Sequence, residues 1–221
     1  GGTIDKMPVE EWVTQTLDAL RAMDNVTLRT RMMGAGVYDH GYVLAYERLT
    51  DHLESKDGPR QRMWRIRASQ IVTATGALER PLSFPGNDVP GVMLAGAVRD
   101  FMVNYGVSCG DRVVVVTNND DAYRTALAVK AAGLDVPAIV DARVGGAGAL
   151  GAEAEAAGIR VLTGKGISRV KGTKRVKAVG VCAQAGEGAV QEEIACDVVA
   201  MSGGWSPVVH LWSHCGGKLL W

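Results

Sequence analysis

The residue types that suggest nucleotide chemistry follow a continuous run of valines in the middle of the chain. In a βαβ unit that binds a dinucleotide, the first turn carries G-x-G-x-x-G, which lets the backbone approach the pyrophosphate. The equivalent positions here hold Thr117, Asn119 and Ala122, so only the last keeps a small residue. Asp120 and Asp121 stand at the helix start, where carboxylates satisfy the free N–H groups and repel a diphosphate. We therefore predict a domain that keeps this fold and has weakened or lost dinucleotide binding at this turn.

An acidic residue ends the next predicted strand, which covers residues 136–140. Asp141 stands where an acidic side chain would take the ribose hydroxyls of NAD. The alternative interpretation is that Asp141 is only the polar end of a strand. A glycine-rich segment at residues 145–148 follows the second strand of the unit rather than the first, which favours a flexible loop over a phosphate cradle.

A second candidate strand end lies upstream. The β-branched residues 71–73 predict a strand that ends at Ala74, Thr75 and Gly76, and the proline-rich and glycine-rich crossing that follows redirects the chain. A strand that ends in glycine is common by itself. Because a βαβ pattern comes next, we expect this strand end to pack near a dinucleotide and to form a hinge between lobes.

The sequence offers little for metal or nucleophilic chemistry. His210 and His214 are four residues apart beside Cys215, a spacing that can hold zinc, but no further ligand cluster accompanies them, so we predict no metal site. None of the four cysteines has Cys-x-x-Cys spacing, which argues against a dithiol reductase and a zinc ribbon. No nucleophile–base arrangement is visible, and the catalytic residues stay unassigned.

The surrounding elements are predicted from periodicity and turn residues. Strands at residues 112–117, 136–140 and 159–162 alternate with helices at 120–132 and up to 157, which predicts a parallel, right-handed unit. Residues 37–38, 42–46 and 63–66, and again 167–170, 176–182 and 190–194, predict two antiparallel layers. Further strands are expected at 26–29 and 197–201. Helices are expected near Pro8, at 93–105 and at 208–214, the last with Ser206 as N-cap and Pro207 as its first residue.

The composition excludes several classes of function. Lys and Arg number 24 and Asp and Glu number 24, so the chain has no electrostatic footprint for nucleic acid or an anionic membrane. No apolar run approaches the roughly 18 residues that span a bilayer, and no secretory signal is visible, so we expect a cytoplasmic protein with reduced thiols. The start at Gly1, without a preceding strand and glycine-rich turn, suggests a fragment of a larger protein.

Several motifs together resemble one family. ATGALERP at 74–81, TNNDDAY at 117–123, VDAR at 140–143 and SGGWSP at 202–207 are similar to the alpha subunits of heterotetrameric sarcosine oxidases. The likeness is looser to the related opine and cyanide-forming dehydrogenase subunits. It extends from about residue 71 to the end of the chain, and more faintly before that.

The resemblance implies an α/β fold with a parallel-sheet, Rossmann-like inner domain at 98–196. That domain would be nested in a partial FAD/NAD-binding outer domain, residues 1–97 with 197–221, and the fold would also contain an antiparallel β-meander. Ala74, Thr75 and Gly76, together with Ser202, Gly203, Gly204 and Trp205, would border the NAD-bearing outer domain.

The resemblance further implies NAD on the alpha chain, FAD in a partner beta subunit and FMN at the interface between them. The amine would be oxidised with release of hydrogen peroxide, and folate would take up the one-carbon unit. The chain alone is expected to bind none of these cofactors tightly. An NADH-dependent flavoprotein reductase and a non-catalytic scaffold domain are the alternatives.

Overall fold

The computed structural model describes residues 2–55, 57–184 and 188–219. The helices are α1 (Val9–Arg21), α2 (Ala95–Tyr105), α3 (Asp121–Ala131), α4 (Ala149–Ala156) and α5 (His210–His214), and a 3₁₀ turn covers Asp39–Gly41. The strands are β1 (Thr3–Ile4), β2 (Met7–Pro8), β3 (Met32–Tyr38), β4 (Tyr42–Arg48), β5 (Gln61–Arg67), β6 (Ala77–Glu79), β7 (Val92–Leu94), β8 (Val113–Thr117), β9 (Ile139–Asp141), β10 (Val161–Thr163), β11 (Lys165–Gly172), β12 (Val176–Ala183), β13 (Glu192–Ala195), β14 (Val198–Ser202) and β15 (Trp205–Pro207).

The chain divides into two compact units, one formed by Gly1–Thr75 with Val209–Trp221 and the other by Gly76–Val208. The nested arrangement predicted from the sequence, residues 1–97 with 197–221 around 98–196, concerns the boundaries of nucleotide domains. A division into compact units does not test those boundaries, so the arrangement stays a prediction.

The unit Gly76–Val208 is built on a parallel sheet with the strand order β10-β9-β8-β14-β7. Every residue of β8 and β14 is buried, as expected for strands covered on both faces. Successive side chains of a strand point to opposite faces. Val113 and Val115 accordingly join a core with α2 and α3, while Val114 and Val116 join a second core with β12 and β13. The mixed α/β fold predicted from the sequence is confirmed.

Two antiparallel elements complete this unit. Strands β11, β12 and β13 form a meander whose Val179 and Ile194 pack in the second core, as the strand pattern predicted. Strands β6 and β15 form a two-stranded ribbon, with Trp205 opposite Glu79. The ribbon follows directly on β14, so it fixes the path of the chain beyond the carboxyl end of the sheet.

The unit formed by Gly1–Thr75 and Val209–Trp221 contains an antiparallel sheet with the order β3-β4-β5, where the sequence predicted it. Helix α5 packs against β3. Helix α1 lies beside Pro8, where the sequence predicted a helix, and it places Trp12, Thr16, Leu17 and Leu20 in half-buried positions at helical spacing.

Three local predictions were wrong. Residues 26–29 and 71–73 are not strands, because neither segment has a strand partner among the residues that the structure describes. Ser206 and Pro207 do not begin the last helix. They lie in β15, where they pair with β6, and α5 begins only at His210 after Val209. Pairing with a strand distant in the sequence has overridden a local capping pattern.

No helix in the described part of the chain is long and apolar enough to span a membrane.

Candidate functional site

The candidate site lies at the carboxyl ends of β8 and β14, inside the unit Gly76–Val208. From β8 the chain proceeds outward to β9 and β10, and it then returns to the other side of β8 as β14. The strand order therefore reverses between β8 and β14. In open parallel sheets, ligands bind in the crevice outside the carboxyl ends of the strands at such a reversal. The described residues at this crevice come from the turn before α3 and from the segment after β14.

The turn after β8 is held by side chains instead of glycines. The Thr117 hydroxyl oxygen accepts a hydrogen bond from the Asn119 backbone N–H at 3.0 Å. The Asn119 side-chain oxygen accepts one from the Asp121 N–H at 3.1 Å, and this bond caps the start of α3. The Asn119 amide nitrogen donates to the hydroxyl and carbonyl oxygens of Ser202, at 2.9 and 3.2 Å. Asn119 thus bridges the crevice between β8 and β14.

The two carboxylates at the start of α3 bind arginines. Asp120 accepts a hydrogen bond from Arg143 Nη1 at 2.7 Å, and Asp121 accepts one from Arg99 Nη2 at 2.8 Å. The Asp120 side chain, at the cap position of α3, makes no bond to a backbone N–H of the helix. The prediction that these carboxylates would themselves satisfy the helix N–H groups was wrong. The Asn119 side chain accepts the hydrogen bond from the N–H at the helix start, and the two carboxylates bind guanidinium groups instead.

Asp141, at the end of β9, is fully buried and fully bonded. Its Oδ2 accepts hydrogen bonds from the Tyr123 hydroxyl at 2.7 Å and from Arg143 Nη2 at 2.8 Å. Its Oδ1 accepts from the Arg143 backbone N–H at 2.9 Å and from Arg143 Nε at 3.1 Å. A buried charge is tolerated when it is paired and hydrogen-bonded in this way. A ribose contact by Asp141 stays a prediction, and it would require Arg143 to give up its bonds.

The same cluster shifts the acidity of its neighbours. Hydrogen bonds to Asp141, and secondly to Asp120, raise the pKa of Arg143, and this increase outweighs the opposing effect of burial. Burial, and then the hydrogen bond to Asp141, raise the pKa of the Tyr123 hydroxyl above its usual range. Arg143 therefore stays a cation and Tyr123 a neutral donor at ordinary pH.

The predicted residues after β14 are placed together. Ser202 is buried at the end of β14, and Trp205 begins β15 with 45% of its surface exposed. The Gly203 N–H donates to the Arg80 carbonyl at 2.7 Å, and the Arg80 N–H donates to the Gly204 carbonyl at 2.8 Å. A side chain at Gly203 would lie 2.9 Å from the Pro81 carbonyl oxygen, so glycine is required for this close approach.

The other predicted residues of the cofactor site precede β6 in the sequence. Gly76 belongs to the same unit and accepts a hydrogen bond from the Val208 N–H at 2.9 Å. Ala74 and Thr75 are exposed and belong to the other unit. Cofactor contacts by Ala74, Thr75, Gly76, Ser202, Gly203, Gly204 and Trp205 stay predictions.

Sequence reasoning missed the partners that define the site. Arg143 follows Asp141 by two residues, so the D-x-R pattern could have suggested the ion pair. Tyr123 lies in the first turn of α3, close to the turn at which the sequence lacks the expected glycines. Arg99 gives no local signal, because it comes from α2, 22 residues before Asp121.

The turn between β8 and α3 does not fit a dinucleotide as it stands. A pyrophosphate needs free N–H groups and an unobstructed backbone at the helix start. Here Asn119 uses the Asp121 N–H, its side chain reaches across to Ser202, and Asp120 adds negative charge. As for metals, the described residues contain no group of three or more His, Cys, Asp or Glu side chains that could hold an ion.

Comparisons with known proteins give relatives that match the chain from end to end. The sarcosine oxidase subunit alpha of Corynebacterium sp. (strain P-1) is 42% identical over 229 residues, covering 100% of this chain and 23% of the relative. The sarcosine oxidase subunit alpha of Rhizobium meliloti (strain 1021) is 40% identical over 227 residues, covering 99% of this chain and 22% of the relative. The chain thus spans under a quarter of the length of these relatives. No family model matches.

Solved structures show the same fold at low identity. Thioredoxin reductase from T. acidophilum superposes with a TM-score of 0.68 at 16% identity, covering 97% of this chain and 66% of that one. L-proline dehydrogenase from P. horikoshii has a TM-score of 0.62 at 20% identity, covering 98% of this chain and 36% of that one. At such identity the likeness establishes the fold alone.

Proposed function

We propose that this chain, which is homologous over its whole length to a segment of the sarcosine oxidase alpha subunit, is the central region of an amine oxidoreductase subunit. The proposed reaction is the oxidative demethylation of sarcosine or a related secondary amine. The observation that carries the proposal is that three relatives with this one name match the chain almost from end to end. The fold adds support, because its structural neighbours include an FAD-dependent oxidoreductase.

The cofactors and partners proposed with this function belong to a larger complex. They are NAD on the alpha chain, FAD in a partner beta subunit, FMN at the interface, and folate as acceptor of the one-carbon unit. When bound, the flavin accepts two electrons from the amine and passes them to oxygen, which leaves as hydrogen peroxide. No residue of this chain is assigned to that chemistry.

The part proposed for this chain is structural support of the nucleotide in the outer domain. Ser202, Gly203, Gly204 and Trp205 form the segment that leaves the carboxyl end of β14, and Ala74, Thr75 and Gly76 are proposed to border the same domain. Gly203 supports this role, because its missing side chain lets the segment pack against the Arg80 and Pro81 carbonyl groups. The path of the backbone beside the nucleotide is thereby fixed.

A non-catalytic scaffold is the second candidate function. The contacts of Asn119, Asp120 and Asp121 favour this function. The parallel sheet is kept, but the side chains of the turn where a nucleotide would bind form hydrogen bonds and ion pairs with other protein groups. An NADH-dependent reductase is less favoured, because that function predicts an intact G-x-G-x-x-G at this turn, and Thr117 and Asn119 replace the first two glycines.

The deciding experiment is an activity measurement on the longer subunit that this proposal implies, purified with its partner subunits. Sarcosine should give oxygen uptake with hydrogen peroxide and formaldehyde in equal amounts, and glycine, which lacks the methyl group, should give none. Tetrahydrofolate, the reduced form that condenses with formaldehyde, should lower the yield of free formaldehyde without lowering the yield of peroxide. A flavin-loaded complex that oxidises neither sarcosine nor other N-methyl amino acids would exclude the enzyme function and leave the scaffold.

A second measurement addresses the cofactors. Mass spectrometry of the small molecules released on denaturation should find NAD, FAD and FMN in the complex and no stoichiometric nucleotide in the chain alone. Stoichiometric NAD in the chain alone would contradict the proposal that this chain only supports the nucleotide.

A further inference from the structure

The antiparallel sheet β3-β4-β5 carries a pocket that the proposed function does not use. We propose that this pocket binds a small phosphate monoester, with its phosphate on Arg31 and Arg48 and its apolar group on the neighbouring sheet face. This inference is independent of the proposed amine chemistry. It concerns only residues of the compact unit that contains these three strands.

The pocket has the size of a small-molecule site. Its volume is about 340 Å³, and small-molecule sites have volumes of roughly 300–1,000 Å³. Three neighbouring parts of the chain line it. Arg31 stands just before β3, Tyr46 and Arg48 belong to β4, and the turn after β4 supplies Asp51 and His52. The pocket therefore combines apolar and cationic side chains within one sheet and its turns.

The strand register builds the apolar wall of the pocket. Met33 lies opposite Tyr46 in the pair β3–β4, and Tyr46 lies opposite Met63 in the pair β4–β5. Side chains directly opposite each other in an antiparallel pair lie on the same face of the sheet. Met33 is 59% exposed and Met63 is 57% exposed, so more than half of each methionine is uncovered. Arg48 follows Tyr46 by two residues and therefore extends this same face.

The charges at the pocket point to a dianion. Neither Arg31 nor Arg48 forms an ion pair with a carboxylate in the part of the chain that the structure describes. The acidic lining residue, Asp51, is already bound by Arg60 at 2.9 and 3.0 Å. Two guanidinium charges are thus left without a counterion. A phosphate monoester carries close to two negative charges at neutral pH, whereas a single carboxylate would leave one arginine unpaired.

The backbone at Arg31 supports a binding role. Its φ is 55°, in the left-handed region that residues with a side chain seldom adopt. The Arg48 N–H donates to the Arg31 carbonyl oxygen at 3.0 Å, so the two arginines begin from adjacent backbone positions. Unfavourable backbone conformations of this kind concentrate at ligand sites. The conformation of Arg31 and its bond to β4 therefore bring two cations to the end of the apolar wall.

The test measures the binding of phenyl phosphate to the full chain by isothermal titration calorimetry at pH 8, where the phosphate is a dianion. Inorganic phosphate lacks the apolar group, benzoate carries a single charge, and benzyl alcohol carries none. The variants are Arg31→Gln and Arg48→Gln. Arg65→Gln is the matched control, because Arg65 is an exposed arginine of the same sheet that does not line the pocket. Thermal unfolding establishes that each variant is folded.

We expect the wild type to bind phenyl phosphate more tightly than the three other compounds. Arg31→Gln and Arg48→Gln should each weaken this binding about tenfold, because each removes one charge-assisted contact. Arg65→Gln should bind as the wild type does. The proposal is overturned if phenyl phosphate does not bind at millimolar concentration, or if any of the other compounds binds equally well. It is also overturned if the control variant weakens binding as much as the pocket variants do.

A second measurement needs no folded arginine variant. In the wild type labelled with ¹³C at the methionine methyl groups, phenyl phosphate should shift the NMR signal of Met33. The signal of Met201, which is buried in the other unit, should stay in place. Binding that leaves the Met33 signal unmoved would place the ligand elsewhere and overturn the proposal.

Discussion

Tyr123 and Asp141 form a hydrogen bond between a neutral hydroxyl and a carboxylate inside the unit Gly76–Val208. Both residues are fully buried, and the bond length is 2.7 Å. The bond supplies one of the four acceptor contacts of the carboxylate, and Arg143 supplies the others. Removing a single donor therefore leaves a buried charge undersatisfied, which costs more than the net value of an ordinary hydrogen bond.

We predict that Tyr123→Phe lowers the free energy of unfolding by about 1–3 kcal/mol, because the Asp141 carboxylate loses a donor that water cannot replace. Urea denaturation followed by circular dichroism measures the change. Tyr105→Phe is the control, since Tyr105 is 69% exposed, and it should change stability by no more than about 0.5 kcal/mol. Equal effects of the two substitutions would contradict this account of the buried bond.

Cys196 allows a prediction about pH. Burial, and secondly the charge of Asp197, raise the pKa of the Cys196 thiol from 9.0 to about 12. Between these values the unfolded chain loses the thiol proton and the folded chain keeps it. The contribution of this residue to the free energy of unfolding is therefore complete below pH 9. Above pH 9 that contribution falls by about 1.4 kcal/mol per pH unit.

Cys196→Ala should accordingly flatten the decline of unfolding free energy between pH 9 and 10.5, although it lowers stability at pH 8 through lost packing. Urea denaturation over this pH range compares the slopes. Cys215→Ala, a change at an exposed cysteine, should leave the slope of the wild type unaltered. An unchanged slope in Cys196→Ala would mean that the buried thiol titrates normally.

At the scale of secondary-structure elements, β14 connects the sheet to the ribbon of β6 and β15. The connection is made by Gly203 and Gly204, whose backbone groups exchange hydrogen bonds with Arg80. The local sequence around Ser206 and Pro207 resembles a helix start, but the ribbon pairing places these residues in a strand. The candidate site therefore depends on an element whose type local sequence did not reveal.

We predict that Gly203→Ala destabilises the chain by about 1–3 kcal/mol, since its methyl group would lie 2.9 Å from the Pro81 carbonyl and 3.1 Å from the Arg80 carbonyl. Gly145→Ala is the matched control, because no atom lies within 4 Å of the added methyl group. Thermal and urea unfolding measure both variants. A Gly203→Ala variant as stable as Gly145→Ala would show that the ribbon moves aside easily.

At the scale of the whole molecule, the buried core is unevenly distributed between the two units. Strands β8 and β14 are buried along their full length, and both cores formed by buried residues include them. In the unit with β3, β4 and β5, the buried residues among those described are Gly36, Val37, Ala45 and Glu47. Each unit should therefore have its own local stability.

Hydrogen–deuterium exchange of the full chain should accordingly show the slowest amides in β8, β14 and β9. The amides of β4, although central in their own sheet, should exchange at least tenfold faster, because few apolar contacts hold that sheet closed. Mass spectrometry of peptic peptides measures both sets in one experiment. Equal protection of β4 and β8 would contradict the predicted difference in local stability.

The sequence by itself determined the parallel βαβ unit, both antiparallel sheets and the absence of the glycines that a dinucleotide turn needs. These features follow from short-range patterns, which are the valine run, apolar alternation and helical spacing. Only the tertiary structure decided what Asn119, Asp120 and Asp121 do. Asn119 meets Ser202 across 83 residues of sequence and Asp121 meets Arg99 across 22, so neither contact has a local signal. A strand or a helix follows from the order of neighbouring residues, whereas the partner of a charge depends on which distant elements the sheet brings together.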